Sequence, residues 1–112
     1  MEVRNYRNSD TVKNPHGIQS SKMYDKDHGV IMHLLLKAGQ QLKPHITPVD
    51  VAFYVLEGNP TIEVGEEKIQ VNKDDIIESP KDIPHCIYNE TDTDTRVLVM
   101  KLPKPTTLTK ML

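Results

Sequence analysis

The sequence predicts an all-β protein, either a sandwich or a barrel, and two observations support this. Short runs of apolar, β-branched and aromatic residues recur along the chain, separated by Gly, Pro and Asp turn signals. No segment shows the 3.6-residue apolar spacing of an amphipathic helix. Many short strands with regular turn signals are typical of closed or stacked antiparallel sheets.

The clearest strands are predicted in the first half of the chain. VIMHLLLKA, residues 30–38, is mostly apolar and stops at Gly39, and DVAFYVL, residues 50–56, lies between Pro48 and Gly58. The segment GEE, residues 65–67, predicts a tight hairpin. Further strands are predicted at residues 61–64, 68–71, 76–77, 85–88 and 96–102, the last of them ended by Pro103 and Pro105.

These predictions divide the chain into three parts. Residues 1–29 are assigned to an N-terminal arm or edge strand, with a turn at NPHG (14–17). Residues 30–103 form the barrel. Residues 104–112 form a C-terminal tail, in which TTLTKML is compatible with a brief helix or an edge strand.

Composition limits the possible functions. A chain of 112 residues makes one domain. A net charge of −2 provides no basic field for nucleic acid, and no apolar run is long enough to span a bilayer. The single cysteine, Cys86, excludes an internal disulfide and suits a reducing compartment. We therefore expect a cytoplasmic protein that has neither a nucleic-acid nor a membrane partner.

Two runs each place a histidine directly after a proline, next to a predicted strand. GQQLKPHITPVDVAFYVLEG, residues 39–58, carries His45, and DDIIESPKDIPHCIYN, residues 74–89, carries His85. A barrel that brought the two strands together would place both imidazoles at one mouth. That arrangement would supply half of a metal site.

The first run resembles the first motif of the cupins, G-x5-H-x-H-x3,4-E-x6-G. Gly39, His45 and Gly58 match this motif, while Thr47 stands where the second histidine belongs and Val51 where the glutamate belongs.

The second run resembles the second cupin motif, G-x5-P-x-G-x2-H-x3-N. Pro80, His85 and Asn89 match it, and Asp74 and Asp82 replace its two glycines. The resemblance covers roughly residues 30 to 103 and implies a small single-domain cupin, which folds as a double-stranded β-helix or jelly-roll barrel.

The resemblance also implies a metal site, which is incomplete in this chain. Cupins usually hold Fe, Mn, Ni, Cu or Zn with three histidines and a glutamate, of which only His45 and His85 remain. Thr47 can orient a water molecule, whereas Val51 cannot coordinate a metal. Asp50, next to the glutamate position, would replace it only if the strand carried a bulge. Any divalent ion is therefore expected to be weakly held.

Strand alternation predicts an apolar pocket below these polar groups. In the first run, alternate side chains place Phe53 inward together with His45 and Thr47. In the second run, His85 points inward and Cys86 outward, and Cys86 is expected to be an inert thiol. The expected ligand-binding residues are His45, Thr47, His85, Phe53, Leu98 and Met100. Inward positions are also expected for Met32, Leu34, Leu36, Val51, Val55 and Ile87. His33 is expected at the surface or in an interface, and His16 in solvent rather than over the mouth.

Three functional hypotheses remain open. The first is a protein that binds a small molecule, with a weak or partial divalent-metal site at the barrel mouth. The second is a metal-dependent enzyme of the oxygenase, isomerase or decarboxylase type. The third is a non-catalytic dimeric scaffold. A homodimer is expected under each, since pairing of edge strands would cover apolar outer surface.

Overall fold

A computed structural model describes all 112 residues and contains two five-stranded antiparallel sheets. The predicted all-β class is confirmed, because the only helix is a single 3₁₀ turn at Tyr6–Asn8. The ten strands are β1 (Gln19–Lys26), β2 (Gly29–Leu36), β3 (Gln41–Ile46), β4 (Asp50–Glu57), β5 (Thr61–Val64), β6 (Glu67–Gln70), β7 (Ile76–Ser79), β8 (His85–Tyr88), β9 (Thr95–Leu102) and β10 (Lys110–Met111).

The first sheet has the strand order β1-β2-β9-β4-β7 and the second the order β10-β3-β8-β5-β6. Strands that are distant in the sequence are therefore neighbours in both sheets, as in a jelly roll. The structure contains no helix capable of spanning a bilayer.

The ends of the chain join the two sheets as short or irregular strands. β1 is the edge strand next to β2, and its ladder shifts between Lys22 and Tyr24. That shift interrupts strict alternation, which explains why the sequence of residues 1–29 indicated only an arm or an edge strand, without bounds. β10 pairs with β3 through Lys110 and Met111, so the C-terminal segment forms an edge strand and not a helix.

The core lies between the facing sheets. Leu36, Phe53, Val55 and Ile87 are fully buried, as predicted, and Met32 packs against the same cluster. Burial of these side chains supplies the main favourable term in folding.

On β9 the predicted parity is wrong. Val97 and Val99 lie directly opposite Val55 and Phe53 of β4, and directly opposed residues share a face of the sheet. Val97 and Val99 therefore face the core, while Leu98 and Met100 point to the outer face and do not line the interior. The sequence could not show which face of β9 is buried, because RVLVMK places apolar side chains on both faces.

Four positions in the two motif runs have a left-handed backbone. Gly39 (φ +81°) and Gly58 (φ +87°) favour glycine for this reason, and a Cβ on Gly58 would lie 2.7 Å from the Asp94 carbonyl oxygen. Asp74 (φ +71°) and Asp82 (φ +65°) have the same conformation. Aspartate tolerates the left-handed region better than most residues, so these two positions keep their backbone without glycine.

The N-terminal arm covers part of the outer face of the first sheet. The ring of Tyr6 stacks on His33 with the ring centres 3.9 Å apart, and the Arg96 guanidinium lies 4.6 Å from the centre of the Tyr6 ring. Arg96 also donates a hydrogen bond from Nε to His33 Nε2 at 3.0 Å. His33 does face outward, but the arm buries it to 2% exposure, so the expectation of a surface histidine is wrong.

Candidate binding site

His45 on β3 and His85 on β8 lie directly opposite each other in the second sheet. Their Nε2 atoms are 3.0 Å apart, and their ring centres are 4.4 Å apart. Both side chains are buried, with exposures of 7% and 3%. The fold thus brings together two imidazoles that are forty residues apart in the sequence.

An irregularity in β3 orients these groups. The β3–β8 ladder shifts between Leu42 and His45, which leaves both backbone groups of Lys43 outside the ladder. The Lys43 carbonyl accepts a hydrogen bond from His45 Nδ1 at 2.6 Å, and the Lys43 amide donates one to His16 Nδ1 at 2.8 Å.

These bonds determine the tautomers of the neutral rings. A carbonyl only accepts, so His45 carries its proton on Nδ1 and its Nε2 is an acceptor. His85 must then donate from Nε2 to His45 Nε2 and accept at Nδ1 from the Ser79 hydroxyl, 2.6 Å away. His16 accepts at Nδ1, so it carries a proton on Nε2.

Buried neighbours complete the setting of His85. The Thr47 hydroxyl lies 3.1 Å from His85 Nε2, and Phe53 packs edge-on with its ring centre 5.2 Å from that of His85. Thr47 is 2% exposed and therefore supports the pair from within the core.

His16, His45 and His85 are neutral at pH 7. Burial, followed by the charge of neighbouring groups, lowers the pKa of His85 to about 3 and that of His16 to about 4. Burial also lowers the pKa of His45, although its bond to the Lys43 carbonyl partly opposes this.

A cavity of about 530 Å³ lies between the sheets, and His45 forms part of its wall. The walls are mainly apolar and include Met32, Leu34, Leu42 and Val99. The turn at residues 14–17 and the segment 104–111 border the opening. His85, Thr47 and Phe53 were expected to bind the ligand, but they lie behind His45 and do not line the cavity themselves.

His16 lies at the cavity and not in solvent, contrary to expectation. Its ring centre is 5.2 Å from that of His45, and its side chain is half-buried. The turn NPHG positions it, because the Asn14 side chain accepts a hydrogen bond from the His16 amide and donates one to the Ile18 carbonyl. The sequence predicted the turn but contained no signal for where the turn would dock.

Cys86 points away from the cavity, on the opposite face of β8. Its Sγ lies 3.3 Å from Glu63 Oε1, and burial raises the thiol pKa to about 11. A thiol with a raised pKa is a poor nucleophile, which agrees with the prediction of an inert cysteine.

Residues 32–101 match the sequence profile of the cupin domain family Cupin_2. The chain belongs to the cupin family. No curated protein sequence matches it.

Solved structures agree with this assignment. The chain is similar to the protein TT1209 of Thermus thermophilus, with a TM-score of 0.80 and 25% identity over 94% of this chain and 100% of that one. It is similar to the polyketide cyclase RemF of Streptomyces resistomycificus, with a TM-score of 0.85 and 19% identity over 100% and 85%. It is also similar to KdgF of Halomonas sp., with a TM-score of 0.78 and 20% identity over 89% and 91%. These similarities show the double-stranded β-helix fold.

The residues at and beside the glutamate position of the cupin metal motif lie on β4. Val51, at the glutamate position, is buried and faces inward as predicted. Asp50 does not replace the glutamate: β4 keeps regular register from Asp50 to Val55, so its side chain points outward, where it accepts a hydrogen bond from the Lys81 amide at 2.8 Å. The bulge that would have turned Asp50 towards the histidines is absent.

Lys101 is a cavity residue that sequence reasoning missed. It lies opposite Val51 on β4 and opposite Val30 on β2, and it lines the cavity. The corrected parity of β9 would have identified it, because Val97, Val99 and Lys101 share one face.

Proposed function

We propose that this cupin binds a small molecule in the cavity between its two sheets. The observation that supports this most directly is the wall of the cavity, where the Lys43 carbonyl fixes the tautomer of His45 and an Nε2–Nε2 contact of 3.0 Å with His85 holds the ring in place. A mainly apolar cavity with a few well-positioned polar groups is typical of small-molecule sites, which usually occupy about 300–1,000 Å³.

A screen of small metabolites by thermal shift, followed by calorimetry of the hits, tests the proposal. We expect saturable binding that His45→Ala weakens directly and His85→Ala weakens through loss of the hydrogen bond that orients His45. His28→Ala is the matched control, because its imidazole is exposed and bonds only Tyr24. Binding that neither His45→Ala nor His85→Ala changes would contradict the proposal.

The donor set does not fit a tightly held divalent metal. Only His45 and His85 present imidazole nitrogens to one point, and no group of three or more metal-binding side chains occurs in the protein. His16 uses its Nδ1 lone pair on the Lys43 amide. Protein zinc sites commonly use three or four protein ligands, and in the neutral pair His85 Nε2 carries the proton that it donates to His45 Nε2. We therefore propose that any ion is held weakly, by the two Nε2 atoms once that proton is lost.

Elemental analysis of protein purified without added metal distinguishes this proposal from a metal-dependent enzyme. We expect clearly substoichiometric metal, and no gain in melting temperature on adding Mn, Fe, Ni, Cu or Zn ions. One ion per chain that resists dialysis would instead favour the enzyme.

We also propose that the protein is a cytoplasmic homodimer. Three exposed isoleucines, Ile69, Ile76 and Ile83, lie around β6 and β7, the edge strands at one side of the two sheets. An unpaired edge with apolar side chains favours pairing with a second copy. Light scattering at micromolar concentration tests this: a monomer would contradict it, and Ile69→Lys is expected to dissociate a dimer. The buried, unpaired Cys86 supports the cytoplasmic location.

A further inference from the structure

We propose that the ligand of this cavity is a small organic carboxylate, whose charged end pairs with Lys101 and whose apolar body contacts the cavity walls. This inference depends on the binding function proposed above. It specifies the chemical class of the ligand from the groups that the cavity leaves without a partner.

Lys101 faces the cavity because of the register of β9. Its two neighbours across the sheet, Val51 and Val30, are both buried, and its own side chain is half-buried between them. Lys101 and His45 both line the cavity, and the positive charge of Lys101 contributes to lowering the pKa of His45 and His85.

The ammonium of Lys101 has no anionic partner in the protein. None of the five salt bridges includes it. The two other lysines at the cavity share one carboxylate: Asp25 lies 3.1 Å from Lys22 Nζ and 2.8 Å from Lys104 Nζ. A half-buried lysine without a partner is uncommon, because removing a charge from water is costly. Burial accordingly lowers the pKa of Lys101, and an anion beside it would offset that cost.

A second free polar group near His45 is also a donor. His16 carries its proton on Nε2 and has no protein acceptor there, whereas its Nδ1 is occupied by the Lys43 amide. His45 offers no free nitrogen, because Nδ1 donates to the Lys43 carbonyl and Nε2 accepts from His85. A ligand with an acceptor and a negative charge therefore matches the groups that remain, and a cation does not.

The walls and the anion-binding groups together favour a carboxylate over a phosphate. The cavity contains no arginine and is bordered by no helix N-terminus, which are the usual partners of phosphate. Met32, Leu34, Leu42 and Val99 provide an apolar surface for a hydrocarbon body.

Calorimetric titration with butanoate, hexanoate and octanoate, and with the primary amide of each, tests the inference. We expect each carboxylate to bind about tenfold or more tightly than its amide, because a hydrogen bond between charged groups is stronger than one to a neutral group. Lys101→Met should abolish this preference without changing the affinity for the amides. Lys104→Met, which removes a lysine already paired with Asp25, should preserve it.

The outcomes separate this inference from the function on which it depends. If amides bind in the cavity as tightly as carboxylates, or if Lys101→Met keeps the preference, the carboxylate assignment is overturned and the binding function stands. If no compound of either series, and no metabolite in the screen, perturbs the His45 resonances, both are overturned. The comparison of carboxylate with amide uses the unsubstituted protein, so it does not depend on the folding of a variant.

Discussion

At the scale of single residues, the site depends on hydrogen bonds whose direction is determined by their chemistry. The Lys43 carbonyl fixes the proton of His45 on Nδ1, and this in turn makes His85 the donor between the rings. The Ser79 hydroxyl donates a hydrogen bond to His85 Nδ1, which carries no proton in this tautomer. Each ring nitrogen of the pair has a partner, which is the condition for keeping two imidazoles in a core.

The first prediction concerns His85. Substituting His85→Ala should lower the free energy of unfolding by about 3 kcal/mol, since it leaves a cavity beside Phe53 and removes the partners of Ser79 and His45. Urea denaturation measures this loss. His28→Ala, at an exposed ring, should cost less than about 1 kcal/mol; equal losses for both variants would contradict a structural role for the buried pair.

At the scale of secondary-structure elements, β9 determines which side chains reach the cavity. It is the central strand of the first sheet, paired with β2 on one side and β4 on the other. Both pairings place Val97 and Val99 opposite core residues, so each of the two neighbouring strands independently determines which side chains of β9 face the core. Lys101 reaches the cavity for this reason.

The second prediction tests that parity. Val97→Ala should cost about 2 kcal/mol, because a fully buried side chain loses two methyl groups and leaves a void. Leu98→Ala removes more atoms but lies on the partly exposed outer face, so we expect a smaller loss. Denaturant midpoints of the two variants show which face of β9 is buried. A larger loss of stability for Leu98→Ala than for Val97→Ala would contradict the structure.

The strands that could be predicted from sequence were those with a clear signal. Runs such as 61–64 and 85–88 matched β5 and β8, and the inward parity of Phe53 and Val55 was correct, because polar or half-buried residues alternate with them. On β9 the alternation was hidden by apolar residues on both faces. β3 was not predicted as a separate strand because Pro44 and a register shift interrupt it, and the bounds of β1 within the expected arm or edge strand were not predicted because its ladder shifts between Lys22 and Tyr24.

The parts of the site that could not be predicted depend on docking of distant segments. His45 and His85 were identified because both lie in recognisable motifs. His16 and Tyr6 belong to the polar N-terminal arm, and nothing local in that arm indicates which surface it will cover. Only the folded structure brings His16 to His45 and Tyr6 to His33.

At the scale of the whole molecule, buried neutral histidines link stability to pH. Burial lowers the pKa of His85 to about 3 and the pKa of His16 and of His33 to about 4, from an ordinary value of 6.5. Below pH 6.5 the unfolded chain therefore binds protons that the folded chain does not, and protonation favours unfolding.

The third prediction follows from this uptake of protons on unfolding. Stability should be fully present above about pH 6.5 and should fall progressively as the pH is lowered towards 4. Thermal melts between about pH 8 and pH 4.5 measure the slope. His33→Gln, which cannot be protonated in either state, should flatten it, and a melting temperature independent of pH in the unsubstituted protein would contradict the burial of these rings.

The most direct test of the central claim is a long-range ¹H–¹⁵N NMR spectrum of the histidine side chains, recorded with and without a saturating ligand. We predict neutral rings at pH 7, with His45 protonated on Nδ1 and His85 on Nε2. We also predict that ligand shifts the signals of His45 and His16 while those of the exposed His28 remain unchanged. A ligand that saturates the protein without moving the His45 signal would contradict binding in this cavity, and a His45 ring protonated on Nε2 would contradict the hydrogen bonds of the histidine pair.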